Sequence, residues 1–255
     1  MFRPRVIPVL LLKNKGLVKS VKFDNYRYIG DPINAVRIFN DLKADELVFL
    51  DILATREKRC IDLGFVRAVG DEANMPFAVG GGIQTIQQIK EIINAGAEKV
   101  VINSFAVREP GFIREAADEF GSSTVVVSID IKKKFLGKQQ VYTEAGSRST
   151  GLDPIGWAQQ MEANGAGELM VTAIDHDGMM QGYDLPLIQA MAAAVTIPVV
   201  AAGGAGQLTD FTAAIKTGRA SAVAAGSLFV YHGARKAVLV NYPKNDELLN
   251  LFSPV

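Results

Sequence analysis

Short apolar runs, each long enough for one strand, alternate with longer amphipathic segments from one end of this sequence to the other. VIPVLLL is followed by DPINAVRIFNDLKA, ELVFLDI by a helical stretch near Cys60 to Asp71, PFAVGGG by TIQQIKEIINAGA, and KVVINS by PGFIREAADEF. TVVVSID, ELMVTAI, IPVVAAGG and ASAVAAGS continue the rhythm, separated by PIGWAQQMEANGA, PLIQAMAAAV and LTDFTAAIKTG. The runs are apolar at nearly every position instead of every second one. Such strands are buried on both faces, which places them in a parallel sheet covered by helices. Eight such units predict an α/β fold in which a single (β/α)8 TIM barrel occupies residues 1–255. Helix starts are signalled at Asp31-Pro32 and Glu109-Pro110. Near the end AVLVNY reads as extended and NDELLNLF, after Pro243, as a helix, so closure there is expected to be irregular.

The sequence also repeats itself. RVIPVLLLKNKG, from Arg5, matches VVVSIDIKKKF, from Val125 to Phe135; FAVGGG matches VVAAGGAG, and VINSFAV matches AAGSLFV. Each pair lies about 120 residues apart, which predicts two duplicated half-barrels, about 1–122 and 123–255. The first pair differs at one informative position. Asp130 stands two residues before Lys132, where the first copy has Leu11 two residues before Lys13.

Composition excludes several function classes. Lysines and arginines number 27, as do aspartates and glutamates, so the zero net charge gives no electrostatic reason to expect nucleic acid or a membrane surface as partner. One cysteine, Cys60, excludes an internal disulfide and fits a reducing cytoplasm. With only His176 and His232 besides, no metal site or cofactor is expected. The first apolar run is too short to span a bilayer and lacks a small-residue cleavage site, so it reads as a strand and not as a signal peptide.

In barrels of this kind chemistry sits at the C-terminal ends of the strands, where glycine-rich ends and short helix starts hold phosphate with backbone N–H groups. Gly80, Gly81 and Gly82 with Asn103 and Ser104 make one such place; Gly203, Gly204, Gly226 and Ser227 make another. The glycines alone would also fit tight turns. Two clusters in matching positions favour a phosphorylated small molecule with a phosphate at each end. Alternation along the strands puts Arg5 on the face of Ile7, Val9 and Leu11, Lys99 on that of Val101 and Asn103, and Glu168 on that of Met170 and Thr172; Glu46 begins its strand likewise. Four charges would then ring the opposite mouth of the barrel, where an ion-pair network is an ordinary stabilising device. At the working end Asp130 is placed for acid/base work, with Lys13, Lys19, Asp51, Asp175, His176 and Asp177 near the same rim.

VGGGI, the INS after KVV, VVVSID, the GYD after Gln181, and AAGGAG together resemble the HisF family, the cyclase subunits of imidazole glycerol phosphate synthase, over nearly the whole chain. That resemblance implies a HisH-like glutaminase docked at the barrel bottom, ammonia passing up the interior, and reaction at the top with a doubly phosphorylated ribulosyl aminoimidazole carboxamide nucleotide. It assigns Arg5, Glu46, Lys99 and Glu168 to an ammonia gate. Phosphate or substrate binding falls to Lys19, Gly81, Gly82, Asn103, Ser104, Thr172, Asp177, Gly178, Gly203, Gly204, Gly226 and Ser227. The departures lie in the chemistry. The family's acid/base pair is reduced to Asp130, its partner position being Leu11, and two positions expected to be serine are Ala145 and Ala202. These features, with the LLLKNKGLVKSVKF opening and the KAVLVNYP ending, look more like the HisF-like paralogues of WbuZ type, which work with a HisH-like glutaminase and a separate sugar amidotransferase that forms acetamidino groups on surface polysaccharides. Two alternatives stand beside this: an authentic cyclase of histidine biosynthesis, and a non-catalytic scaffold that activates its glutaminase.

Overall fold

Side chains alternate across each strand of the barrel, and the alternation sorts them into two cores. In this computed structural model, which describes residues 3–134, 137–233 and 235–253, the barrel strands are β1 (Arg5–Lys13), β2 (Leu47–Asp51), β3 (Phe77–Gly80), β4 (Lys99–Ile102), β5 (Val125–Lys133), β6 (Glu168–Ala173), β7 (Val199–Ala202) and β8 (Ala222–Ala225). Each pairs in parallel with the next, and β8 pairs with β1 through Arg5 to Pro8 against Ala222 to Ala225, closing the ring. Val6, Leu10, Phe49, Val79 and Val100 point outward into the large core under the helices. Ile7, Val48, Ala78, Val101, Val126, Met170 and Val200 point inward and fill the barrel axis. This is the (β/α)8 barrel that the alternation of runs predicts.

The longer helices are α1 (Pro32–Asp41), α2 (Leu63–Glu72), α3 (Ile86–Asn94), α4 (Gly111–Phe120), α5 (Pro154–Ala163), α6 (Leu185–Ala194), α7 (Leu208–Lys216) and α8 (Asn245–Phe252), and Ser104–Arg108 adds one short helical turn after the fourth barrel strand. Asp31 caps α1 by accepting from the Asn34 N–H, and Pro32 fills a first-turn position that needs no donor. The second helix starts later than the sequence suggests. Asp62 caps it by accepting from the Phe65 N–H, which leaves Cys60 and Ile61 in the preceding loop. At the far end α8 forms as read, but only Ala237–Val238 of the AVLVNY stretch is strand, paired with Tyr231–His232. Tyr242 is buried instead, its hydroxyl donating to the Val6 carbonyl and accepting from the Asp45 N–H, which ties the chain's end to the barrel floor. Phe135, the last residue of the second repeated stretch, lies outside the described residues.

Two hairpins at the top of the barrel have no counterpart in the sequence reading. Gly16–Val21 pairs antiparallel with the end of β1 and with Asp24–Gly30, and Gln139–Thr143 pairs antiparallel with the end of β5 and with Arg148–Ser149. The signal for the first is the turn Asn14-Lys15-Gly16, where Asn14 and Lys15 both take positive φ, as a tight two-residue hairpin loop requires. Lysines at or next to the ends of the two strands sit alike: Lys13 lies over the Tyr26 ring and Lys132 over the Tyr142 ring, each aromatic belonging to the hairpin that follows.

Candidate functional site

The strand ends and both hairpins enclose a cavity of about 470 Å³. It brings together Leu11, Lys19, Gly81, Gly82, Asn103, Ser104, Asp130, Thr172, Asp177, Gly203, Gly226 and Ser227, as well as Asp51, Ala145 and Ala202. Gly178 and Gly204 are not among its lining residues. A Cβ at Gly178 would collide with the Ser20 carbonyl and one at Gly204 with the Gly182 carbonyl, so these two glycines permit backbone to pack on backbone. Gly81 carries a double constraint: its φ is +137°, and a Cβ there would lie 2.8 Å from the Asp51 Cβ. Lys13, Asp175 and His176 do not line the cavity. Asp175 accepts from the Lys133 N–H at 2.8 Å, and the His176 Nδ1 lies 3.0 Å from the Gly182 carbonyl oxygen.

Asp130 ends the inward row of β5 and is buried at 9% exposure. Asn103 Nδ2 donates to its Oδ2 at 3.0 Å and Ser128 Oγ to its Oδ1 at 3.3 Å. Burial pushes its pKa up to about 7, with the nearby Asp177 adding to the rise and the Ser128 hydroxyl opposing it. A carboxyl so placed holds or gives a proton at neutral pH. It also costs stability. A folded-state pKa above the unfolded value means that the favourable contribution of the protonated group is complete below about pH 4 and is lost as pH rises toward 7. Asp130→Asn, which cannot ionise, is therefore expected to raise the melting temperature by several degrees at pH 8 and by less at pH 5. Equal gains at the two pH values, in thermal melts of both proteins, would show that the carboxyl is not strained by burial.

Across the cavity Lys19 is buried at 5% exposure, and desolvation lowers its pKa to about 8, partly offset by Asp177. Asp177 itself takes the Ser20 hydroxyl at 2.8 Å, and its backbone carbonyl takes the Lys22 N–H at 2.9 Å, pinning the first hairpin to the loop after β6. Leu11 faces the same space with apolar neighbours in register, Val18 in the hairpin and Leu50 on β2. Sequence reasoning missed several wall residues. Phe23 and Tyr26 of the first hairpin, and Arg108 and Arg148 at the β4 and β5 side, all line the cavity. The hairpin signal at Asn14 would have found the first two.

At the opposite mouth the four charges form a closed ring. Arg5 bridges Glu46 and Glu168, and Lys99 bridges the same two carboxylates at 3.1 Å and 3.0 Å. The glutamates are buried, while Arg5 and Lys99 remain part-exposed to the outside. Directly above the ring lies a second cavity of about 10 Å³, walled by Glu46 and Glu168 below and by Ile7, Val48, Ala78, Val126 and Val200 around. That is room for about one molecule the size of water. Val101 and Met170 wall both this cavity and the large one above it. Among the described residues no group of His, Cys, Asp and Glu is arranged to hold a metal ion, and no helix is long and apolar enough to cross a membrane.

Comparison with known proteins gives a consistent result. The sequence profile of the family described as "Histidine biosynthesis protein" matches residues 5–235. A Pseudomonas aeruginosa protein provisionally named imidazole glycerol phosphate synthase subunit hisF2 is 46% identical over 248 residues, 97% of this chain and 99% of that protein. A Leptospira interrogans protein provisionally named imidazole glycerol phosphate synthase subunit HisF is 43% identical over 253 residues, 99% of this chain and 100% of that protein. The Alkaliphilus metalliredigens protein named imidazole glycerol phosphate synthase subunit HisF is 43% identical over 232 residues, 91% of this chain and 92% of that protein.

Proposed function

The chain belongs to the histidine biosynthesis protein family and within it to the HisF-like subunits of imidazole glycerol phosphate synthase, and from that premise we propose that it delivers ammonia through its barrel to a phosphorylated acceptor while closing imidazole rings poorly. A HisH-like glutaminase docks on the floor around Arg5, Glu46, Lys99 and Glu168 and releases ammonia there. The observation that carries this reading is the stacking of two cavities that share Val101 and Met170 as walls, with the charge ring below them. An apolar axis suits neutral ammonia and disfavours ammonium.

At the top, Gly81, Gly82, Asn103 and Ser104 take one phosphate, and Gly203, Gly226 and Ser227 the other. Gly178 and Gly204 support the loops around them. Thr172, Asp177 and Lys19 hold the body of the ligand, and Asp130 remains as the acid/base group. The missing partner at Leu11 shifts the product away from the imidazole, and the acceptor we favour is a surface-polysaccharide sugar converted to an acetamidino derivative with a separate amidotransferase. The two half-barrels, about 1–122 and 123–255, arose by duplication. The matched hairpins after β1 and β5, with Lys13 on Tyr26 and Lys132 on Tyr142, support that division.

An isotope competition tests the delivery. With amide-labelled glutamine, the glutaminase and unlabelled external ammonium at equal concentration, the aminated product is expected to carry mostly the glutamine nitrogen. A product whose label matches the mixed pool would mean that ammonia escapes to solvent, and would end the channel reading. One observation favours a second reading, the authentic cyclase: Asp130 keeps two hydrogen-bond donors and a near-neutral pKa. Turnover of the histidine-pathway nucleotide separates the two.

A further inference from the structure

Lys19 is a buried lysine that forms no ion pair with any carboxylate among the described residues. It lies on the strand Gly16–Val21 at 5% exposure, and its ammonium donates to the Val9 backbone carbonyl. That is its only hydrogen bond to protein among the described residues, so two of its three N–H directions are open. Asp177, the nearby acid, is engaged by the Ser20 hydroxyl at 2.8 Å. The wall beside Lys19 is shaped around its tip. A Cβ on Gly226 would collide with Nζ, so glycine at the end of β8 is what lets the lysine reach the cavity next to Ser227. A strongly hydrated cation is costly to bury in this way. A neutral amine in the same place costs much less, and it is a nucleophile.

We propose that Lys19 is an imine-forming lysine, whose Nζ attacks the carbonyl carbon of an acyclic phosphorylated ketose or aldose held in the upper cavity. The nitrogen lone pair forms the C–N bond as the C=O pair moves to oxygen, giving a carbinolamine. The carbinolamine oxygen is protonated and leaves as water, and the C=N bond forms. Asp130, in the same cavity, is the proton donor for that loss. No oxidant or reductant is consumed. Desolvation of Lys19 supports the step: with its pKa near 8, roughly a tenth of the molecules carry a free amine at pH 7, far more than for an exposed lysine.

This deepens the ammonia-delivery reading and, in its last step, rests on it. Ammonia arriving from below attacks the protonated imine carbon and the lysine amine departs, leaving the substrate as a C=NH2+ group and Lys19 free. A protonated imine is more electrophilic than a ketone, so this route does without the acid that is absent at Leu11.

The test needs neither ammonia nor glutaminase, so its failure is separate from failure of the delivery reading. Ribulose 1,5-bisphosphate is a suitable probe: its 5-hydroxyl is blocked, which keeps it acyclic with a free ketone, and it has a phosphate at each end. The chain is incubated with the probe and sodium borohydride, which reduces an imine to a stable secondary amine, and the peptides are mapped by mass spectrometry. The expected result is an adduct at Lys19 at least tenfold more abundant than at exposed lysines such as Lys43 and Lys90, suppressed by inorganic phosphate. Its formation rate should rise with a midpoint near pH 8, not near 10. Lys19→Arg, which keeps the charge but cannot form an imine, should lose the adduct. Labelling spread evenly over surface lysines, labelling at Lys19 indifferent to phosphate, or a midpoint near 10 would each overturn the proposal, and the wild-type measurements decide it even if the variant does not fold.

Discussion

Purified chain supplied with excess ammonium salt is expected to turn over the histidine-pathway nucleotide at least about a hundredfold more slowly than HisF subunits that carry an acid at position 11. The reason is local. The cavity holds Asp130 at the end of β5, while β1, on the opposite side of the ring, presents Leu11, whose side chain cannot move a proton. Loss of one general acid or base costs typically 10²- to 10⁴-fold. Leu11→Asp should recover about tenfold. The new carboxyl would stand between Val18 and Leu50, an apolar setting that raises its pKa and helps it act as an acid near neutrality. Recovery should stay partial because Ala145 and Ala202, both in the cavity wall, add no hydroxyl to orient the nucleotide. Steady-state assays of both proteins at saturating ammonium check this. Ordinary turnover by the wild type would establish the authentic cyclase and remove the argument for a different acceptor.

What the sequence reveals of this molecule follows from which forces are local. Strands buried on both faces must be apolar at nearly every position, so β1 to β8 announce themselves, and their order leaves closure into a barrel as the natural solution. The period of two carries further. From Ile7, Val101 and Met170 facing inward, Arg5, Lys99 and Glu168 must face inward too, and the ring they form with Glu46 is legible in the sequence. The hairpins are not, because Gly16–Val21 is short and buries Lys19 and Ser20 beside Leu17 and Val18, while Asp24–Gly30 is polar and mostly exposed, so neither shows a clean strand pattern and only the turn residues betray them. Nor could sequence separate the cavity glycines from Gly178 and Gly204. Each of these is a glycine because of what passes within a few ångströms of its Cα, which depends on a loop distant in the chain. The same holds for Lys19, whose desolvation comes from the closure of the hairpin over the strand ends and appears in no local pattern.

Lys99→Ala is expected to leave the fold and glutamine hydrolysis by the partner largely intact, while lowering severalfold the share of released nitrogen that reaches the acceptor. Removing one partner of a buried ion pair commonly costs 3 to 5 kcal/mol, roughly ten degrees of melting temperature for a chain of this size. The ring should soften that loss. Arg5 already bridges both Glu46 and Glu168, so neither carboxylate is left without a cation, and Lys99 is part-exposed at 20%. We therefore expect a fall of only a few degrees. The transport effect has a different origin. Lys99 pairs with Glu46 and Glu168 in the floor beneath a cavity of about 10 Å³, through which ammonia would pass to the large cavity on the proposed delivery route. From Arg5 to Leu11 is six residues, and at about 3.3 Å each the path is roughly 20 Å. A gap in the floor lets water enter beside the buried glutamates and lets ammonia leave, and once in bulk water it is protonated and cannot re-enter the apolar axis. Measuring glutamate release against aminated product for both proteins, beside their melting temperatures, separates the roles. Unchanged coupling together with a loss of ten degrees or more would make the ring a stabilising network and nothing else.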